Sequence, residues 1–75
     1  DRSYLHRLFK QYLHQSPQQY LLNLRIEKSC NLMANSSLKI GDIARSVGYK
    51  DVLLFSKIFK KAKNCTPSEF RNMLP

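Results

Sequence analysis

Residues 1–20 and 51–70 are one segment written twice, fifty positions apart. Asp1 falls on Asp51, Phe9 on Phe59, Lys10 on Lys60 and Pro17 on Pro67. The positions between them change conservatively: Leu5 pairs with Phe55, Arg7 with Lys57, Leu8 with Ile58, Ser16 with Thr66, Gln19 with Glu69 and Tyr20 with Phe70. A gapless match of this kind is one supersecondary unit used twice. Each copy reads as a basic helix followed by a second helix with its own start signal.

The chain has 75 residues, enough for one small domain or part of one. A domain of this size buries only about 60–65% of its unfolded surface, so its stability margin is thin. Two Gly and three Pro argue against disorder. The sequence contains no long apolar run and opens without a charged-then-apolar leader, so membrane insertion and secretion find no support and a cytoplasmic location is expected.

Thirteen Lys and Arg against five Asp and Glu give a net charge of +8. Such an excess is either a solvated basic surface or the footprint of a polyanion binder, which gains free energy by releasing condensed counterions. The charge is clustered. Residues 50–63 carry Lys50, Lys57, Lys60, Lys61 and Lys63 against Asp51, and residues 1–10 carry Arg2, Arg7 and Lys10 against Asp1. Two similar positive helices in one small domain imply two similar docking places, and duplex DNA offers repeated grooves.

Cys30 and Cys65 make neither a disulfide framework nor a metal set and read as reduced thiols. His6 and His14 have no Cys or carboxylate at ligand spacing, so no metal and no cofactor is expected.

Helical periodicity runs throughout, and no alternating strand pattern is present. Over 2–13, Leu5, Leu8, Phe9 and Tyr12 make one apolar stripe. Ser16-Pro17-Gln18-Gln19 supplies an N-cap, a proline for the first helical position and a capping box, opening a long helix over 17–35. That helix carries two apolar lines, Leu22, Ile26 and Met33 on one and Leu21, Leu24 and Leu32 on the other, so it is expected to bridge the two units. A third helix, about 39–47, points Ile40, Ile43, Ala44 and Val47 inward and Arg45 outward, and Gly48 ends it. Asp51 caps a fourth, 52–63, with Leu54, Phe55, Ile58 and Phe59 inward; Thr66-Pro67-Ser68-Glu69 repeats the capping box and opens a last helix to about Leu74. From Ile40 to Lys61 this is a helix, a tight turn at Gly48 and a basic second helix, with small Ala44 where close approach requires it. That is a helix-turn-helix pattern, whose second helix enters the major groove, although an ordinary helical hairpin has the same outline.

Ile43-Ala44-Arg45-Ser46-Val47-Gly48-Tyr49, then Asp51, Phe55-Ser56-Lys57-Ile58-Phe59-Lys60-Lys61, then Thr66-Pro67-Ser68-Glu69-Phe70-Arg71 resemble the DNA-binding domain of AraC/XylS transcription regulators. Leu24-Arg25-Ile26-Glu27-Lys28 is similar to that family's linker helix. The resemblance covers essentially the whole chain. It implies an all-α fold of tandem helix-turn-helix (homeodomain-like) units joined by a long linker helix, binding two adjacent major-groove segments. Residues 1–15 would be the first recognition helix, 17–35 the linker and 38–75 the second unit. The family carries two further helices before the first recognition helix, so residues 1–75 are expected to be a fragment whose first unit is incomplete. An effector-binding or receiver domain is expected outside the chain, and RNA polymerase is a possible second partner.

The resemblance carries the base-reading positions onto Ser3, His6 and Arg7 in the first unit and onto Val52 and Leu53 in the second, with Ser56 and Lys57 as polar candidates. Arg7 suits guanine best, because its fork matches O6 and N7. Val52 and Leu53 are a departure: apolar groups touch thymine methyls but cannot form bidentate hydrogen bonds. Either the second half prefers a T-rich subsite, or it binds mainly backbone. Arg2, Lys10, Lys39, Lys50, Lys60 and Lys61, with the backbone amides near Lys39 and Ile40, are candidates for phosphate. Lys39 stands where the family often has a capping Ser, so this helix could begin at Ser37 instead. Arg25 reads either as a DNA contact or, with Glu27 nearby, as structural.

Three function classes compete. Sequence-specific binding of double-stranded DNA by a bacterial transcription regulator is the leading one. A helical module contacting polymerase or a partner subunit is the alternative, and RNA binding suffers from the lack of an aromatic platform outside the core. An enzyme is not expected, since no catalytic pair, triad or glycine-rich phosphate loop can be assembled from five acids and these spacings.

Overall fold

The computed structural model describes residues 2–75; Asp1, and with it the Asp1–Asp51 pairing of the repeat, lies outside the described residues. Five helices follow in order: α1 Arg2–Leu13, α2 Pro17–Asn35, α3 Ile40–Ser46, α4 Val52–Lys63 and α5 Pro67–Met73. Among the described residues there is no strand, and no helix is long and apolar enough to cross a membrane.

The repeat survives in the backbone. His14 and Asn64, fifty apart, both take left-handed conformations, with φ of 59° and 65°, just after α1 and α4. Asn and His are among the residues with a Cβ most often found in that region, and the reversal it allows brings the chain back into the next helix. Ser16 and Thr66 then hold nearly identical N-cap geometry, φ −73°, ψ 160° and φ −70°, ψ 159°. Phe9 meets Tyr20 edge-on at 5.4 Å, and Phe59 meets Phe70 edge-on at 5.5 Å.

The two caps differ in one respect. Thr66 and Glu69 form the reciprocal capping box. Ser16 Oγ accepts from the Gln19 amide at 3.1 Å, but the Gln19 side chain donates to Asn23 Oδ1 instead of returning to the Ser16 backbone. The expected box is therefore half formed at this end. A carboxylate can only accept and turns toward the free N–H of Thr66, whereas a carboxamide also donates and finds an acceptor one turn along α2.

The core gathers Ile26 and Met33 of α2, Ile43 and Ala44 of α3, and Phe55 and Phe59 of α4. Ser29 is fully buried and donates its hydroxyl to the Ile26 carbonyl, so no polar group is stranded there. Tyr49, Phe55, Phe59 and Phe70 form a continuous run of ring contacts, 5.7, 5.8 and 5.5 Å between centroids. This aromatic run joins the turn after α3 to α5 through Phe55 and Phe59 of α4.

Burial is uneven along the repeat. Helix α1 has no buried residue. Of its expected stripe, Leu8 and Phe9 are half-buried, whereas Leu5 and Tyr12 are exposed. On α2 the Ile26–Met33 line is buried, but Leu21 and Leu24 of the second line are exposed. Leu54, expected inward on α4, is exposed as well; it sits about 100° round the helix from Phe55, off the edge of the core-facing arc.

Helix α3 starts at Ile40, not at Ser37, and its N-cap residue Lys39 makes no side-chain cap bond. Ser36 takes the local hydrogen bonds instead, donating to the Leu32 carbonyl and accepting from the Leu38 amide. At the other end, the Gly48 amide donates to the Arg45 carbonyl and the Tyr49 amide to the Ala44 carbonyl. These are the two bonds of a Schellman motif, with Gly48 at the left-handed position, φ 104°.

Candidate nucleic-acid interface

The turn between α3 and α4 is held from outside by Arg25. Its guanidinium carbon lies 5.2 Å from the centroid of the Tyr49 ring, and a Cβ built on Gly48 would fall 3.1 Å from that same carbon. This assigns Arg25 to the scaffold, as one of its two sequence readings had it, but the partner is Tyr49. Glu27 instead binds Lys63 Nζ at 2.8 Å, tying α2 to the last turn of α4. That hydrogen bond holds the Lys63 ammonium above its usual range. Burial pushes the Cys30 thiol up, against the opposing charge of Lys63. Both cysteines are free thiols.

Arg71 is a structural residue that sequence reasoning missed. Its guanidinium donates to the backbone carbonyls of Leu38, Ser36 (3.2 Å) and Met33 (3.4 Å). It thereby closes the C-terminal end of α2 and orders the segment leading into α3. Three acceptors more than thirty residues away are invisible to helical periodicity, which reports only one face of one helix.

Every described carboxylate is engaged within the fold. Glu27 holds Lys63, Asp42 pairs with Arg45, the Asp51 side chain accepts from the Leu53 amide at 2.9 Å, and Glu69 caps α5. The cationic candidates are not so engaged. Arg2, Arg7, Lys10, Lys39, Lys50, Lys57, Lys60 and Lys61 are exposed and form no ion pair among the described residues. The positive excess is thus left facing solvent.

These candidates fall into two groups. In the first, Arg2, Ser3, His6 and Arg7 of α1 line a concave surface of about 540 Å³ together with Pro17 and Gln18 of α2; Lys10 follows one turn along. In the second, Val52 and Leu53 form the exposed first turn of α4, Lys57, Lys60 and Lys61 continue along it, and Ser56 is half-buried. Lys50 stands just before the Asp51 cap. Lys39 is exposed at the start of α3, while Ile40 is half-buried and packs on the core. The fold therefore does not bring the candidates into one pocket. It leaves two basic helices, α1 and α4, each joined to α2: Phe9 of α1 meets Tyr20, and Lys63 of α4 is bound to Glu27; the longest dimension of the molecule is 40 Å.

Comparison with known proteins agrees with the fold. A helix-turn-helix domain model matches residues 1–73. The lactose operon transcription activator of Staphylococcus xylosus is 46% identical over 71 residues, which is 95% of this chain and 25% of that protein. A Chromobacterium violaceum transcriptional regulator structure described as containing an AraC-type DNA-binding domain superposes with a TM-score of 0.90 at 36% identity, covering 96% of this chain and 64% of that one. The DNA-binding domain of AdpA, solved with a target DNA, has a TM-score of 0.90 at 19% identity over 96% of this chain and 65% of its own, a likeness of fold. The chain spans about a quarter of the length of the curated relatives it matches.

Proposed function

Because the chain belongs to the AraC-type helix-turn-helix family of transcription regulators, we propose that it binds double-stranded DNA sequence-specifically through α1 and α4, each in its own major-groove segment. The observation that carries this reading is the pair of basic helices, related by the fifty-residue repeat and joined through α2. Successive major-groove segments on one face of B-DNA lie about 34 Å apart, a spacing that a molecule 40 Å long can span.

In this reading Ser3, His6 and Arg7 face base edges from α1, and Val52, Leu53, Ser56 and Lys57 from α4. Arg2, Lys10, Lys39, Lys50, Lys60 and Lys61, with the backbone amides at Lys39 and Ile40, take the phosphates, which position the domain without reading sequence. The domain does no chemistry; it is the promoter-binding part of a longer bacterial protein acting in the cytoplasm. An effector-binding or receiver domain lies outside residues 1–75, and RNA polymerase is a second partner that the family resemblance implies.

Anisotropy titration of the full chain with random-sequence duplex at 50 and 200 mM salt tests the reading. Binding through six to ten phosphates loses about 10³–10⁵ in affinity across that range. Binding that hardly changes with salt would favour an apolar protein contact, and absence of binding at either salt would overturn the proposal.

A further inference from the structure

The outward face of α4 is cationic except where it begins. Val52, Leu53 and Leu54 are three consecutive apolar residues, all exposed, at 38%, 70% and 49%. A single exposed leucine needs no explanation, but three exposed apolar residues in succession mark either a fault or a function. Leu53 stands on the same helical face as Lys57 and Lys60, four and seven positions on. Its backbone is fixed by the Asp51 cap, whose side chain accepts from the Leu53 amide. The site is therefore an apolar tip, rigidly placed, at the head of a row of ammonium groups.

A partner for this face must be anionic along the lysines and apolar opposite Leu53. Major-groove DNA has that combination at one base only: the C5 methyl of thymine stands out among hydrogen-bonding edges, between two phosphate backbones. We infer that α4 reads thymine through its methyl group, with Leu53 as the principal contact and Val52 beside it, so that the second half-site is defined by methyl packing and not by bidentate hydrogen bonds. The inference rests on the DNA-binding reading above and specifies which base that reading requires. It also gives the two helices different emphases: the base-edge candidates of α1 are all polar, whereas on α4 Leu53 and Val52 lead and Ser56 and Lys57 are secondary.

Replacing thymine by deoxyuridine deletes the methyl and nothing else. Duplexes enriched by the full chain from a random-sequence pool are substituted one thymine at a time, and affinity is measured for the wild type and for Leu53→Ala. At one or two adjacent positions the wild type should lose about fourfold per methyl, and Leu53→Ala should bind the thymine and deoxyuridine duplexes equally there. Leu53 is too exposed for its truncation to disturb the fold, and unchanged helical circular dichroism verifies this. Leu53→Gln, which restores a hydrogen-bonding tip, should move the enriched base from thymine toward adenine. Sequence-selective binding that is indifferent to every deoxyuridine, or equally sensitive in wild type and Leu53→Ala, would overturn the inference while leaving the DNA-binding reading intact. Absence of enrichment and of binding to any duplex would overturn both.

Discussion

Phe9 meets Tyr20 edge-on at 5.4 Å, and the same geometry recurs between Phe59 and Phe70. The two pairs share a backbone plan but differ in cover: Phe59 is fully buried, and Phe9 is only half-buried. Phe59→Ala should therefore cost about 3–5 kcal/mol, a large part of what a small domain has. Phe9→Ala should cost roughly 1–2 kcal/mol, mostly lost ring contact. Urea denaturation of both variants checks this. Equal losses would mean that the two units are equally packed.

Arg25 and Gly48 are coupled through space. Gly48→Ala places a Cβ at φ 104° and close against the guanidinium of Arg25, and should cost about 1–3 kcal/mol. Arg25→Ala loses the contact with Tyr49 and its packing, about 1 kcal/mol. In the double variant the crowding vanishes while the backbone strain stays, so the combined loss should be smaller than the sum. Strict additivity in the denaturation cycle would show that the guanidinium yields freely.

Arg71 should act on a segment distant in sequence. Arg71→Ala leaves the carbonyls of Met33, Ser36 and Leu38 without their charged donor, at about 1–3 kcal/mol. Lys at the same position should recover only part of that, because an ammonium lacks the planar fork that spans several acceptors. Amide exchange should quicken first in residues 36–40. Uniform acceleration across the chain would contradict this local role.

Acid should weaken the α5 cap. The Thr66 backbone N–H, with the hydroxyl partner beside it, holds the Glu69 carboxyl below its ordinary 4.5. A carboxyl lowered on folding adds stability above its unfolded pKa, and that stability disappears as pH falls from about 4.5 through the folded value. Melting temperature followed from neutral pH into acid should drop more for the wild type than for Glu69→Gln, whose cap does not titrate. Parallel curves would remove Glu69 from the acid response.

On DNA, Arg7→Ala should relax selectivity at one base position by about 1–3 kcal/mol. Lys60→Ala should weaken all duplexes alike and flatten the salt dependence by about one phosphate. Competition between an enriched duplex and random DNA distinguishes them. Equal losses on both DNAs for both variants would deny Arg7 a base-reading role.

The helix-level plan was legible because it is written locally. Caps at Ser16, Asp51 and Thr66, prolines at 17 and 67, and glycine at 48 fix where helices start and stop through bonds spanning a few residues, and the bounds of α1, α2 and α4 are those the sequence implies. Periodicity likewise found Ile26, Met33, Ile43, Phe55 and Phe59. It could not tell that Leu21, Leu24 and Leu54 stand exposed, because an apolar stripe records which face is greasy and not how much of it another helix covers.

Five helices, a duplicated unit and a large positive excess could be read from the residues alone, since capping, periodicity and composition are properties of neighbouring residues. That Glu27 holds Lys63, that Arg25 braces Tyr49, that Arg71 gathers three carbonyls, and that the eight candidate cations form no ion pair among the described residues, became visible only with the helices packed. The contacts of Glu27, Arg25 and Arg71 join groups more than twenty residues apart, and they exist only once packing has brought the helices together.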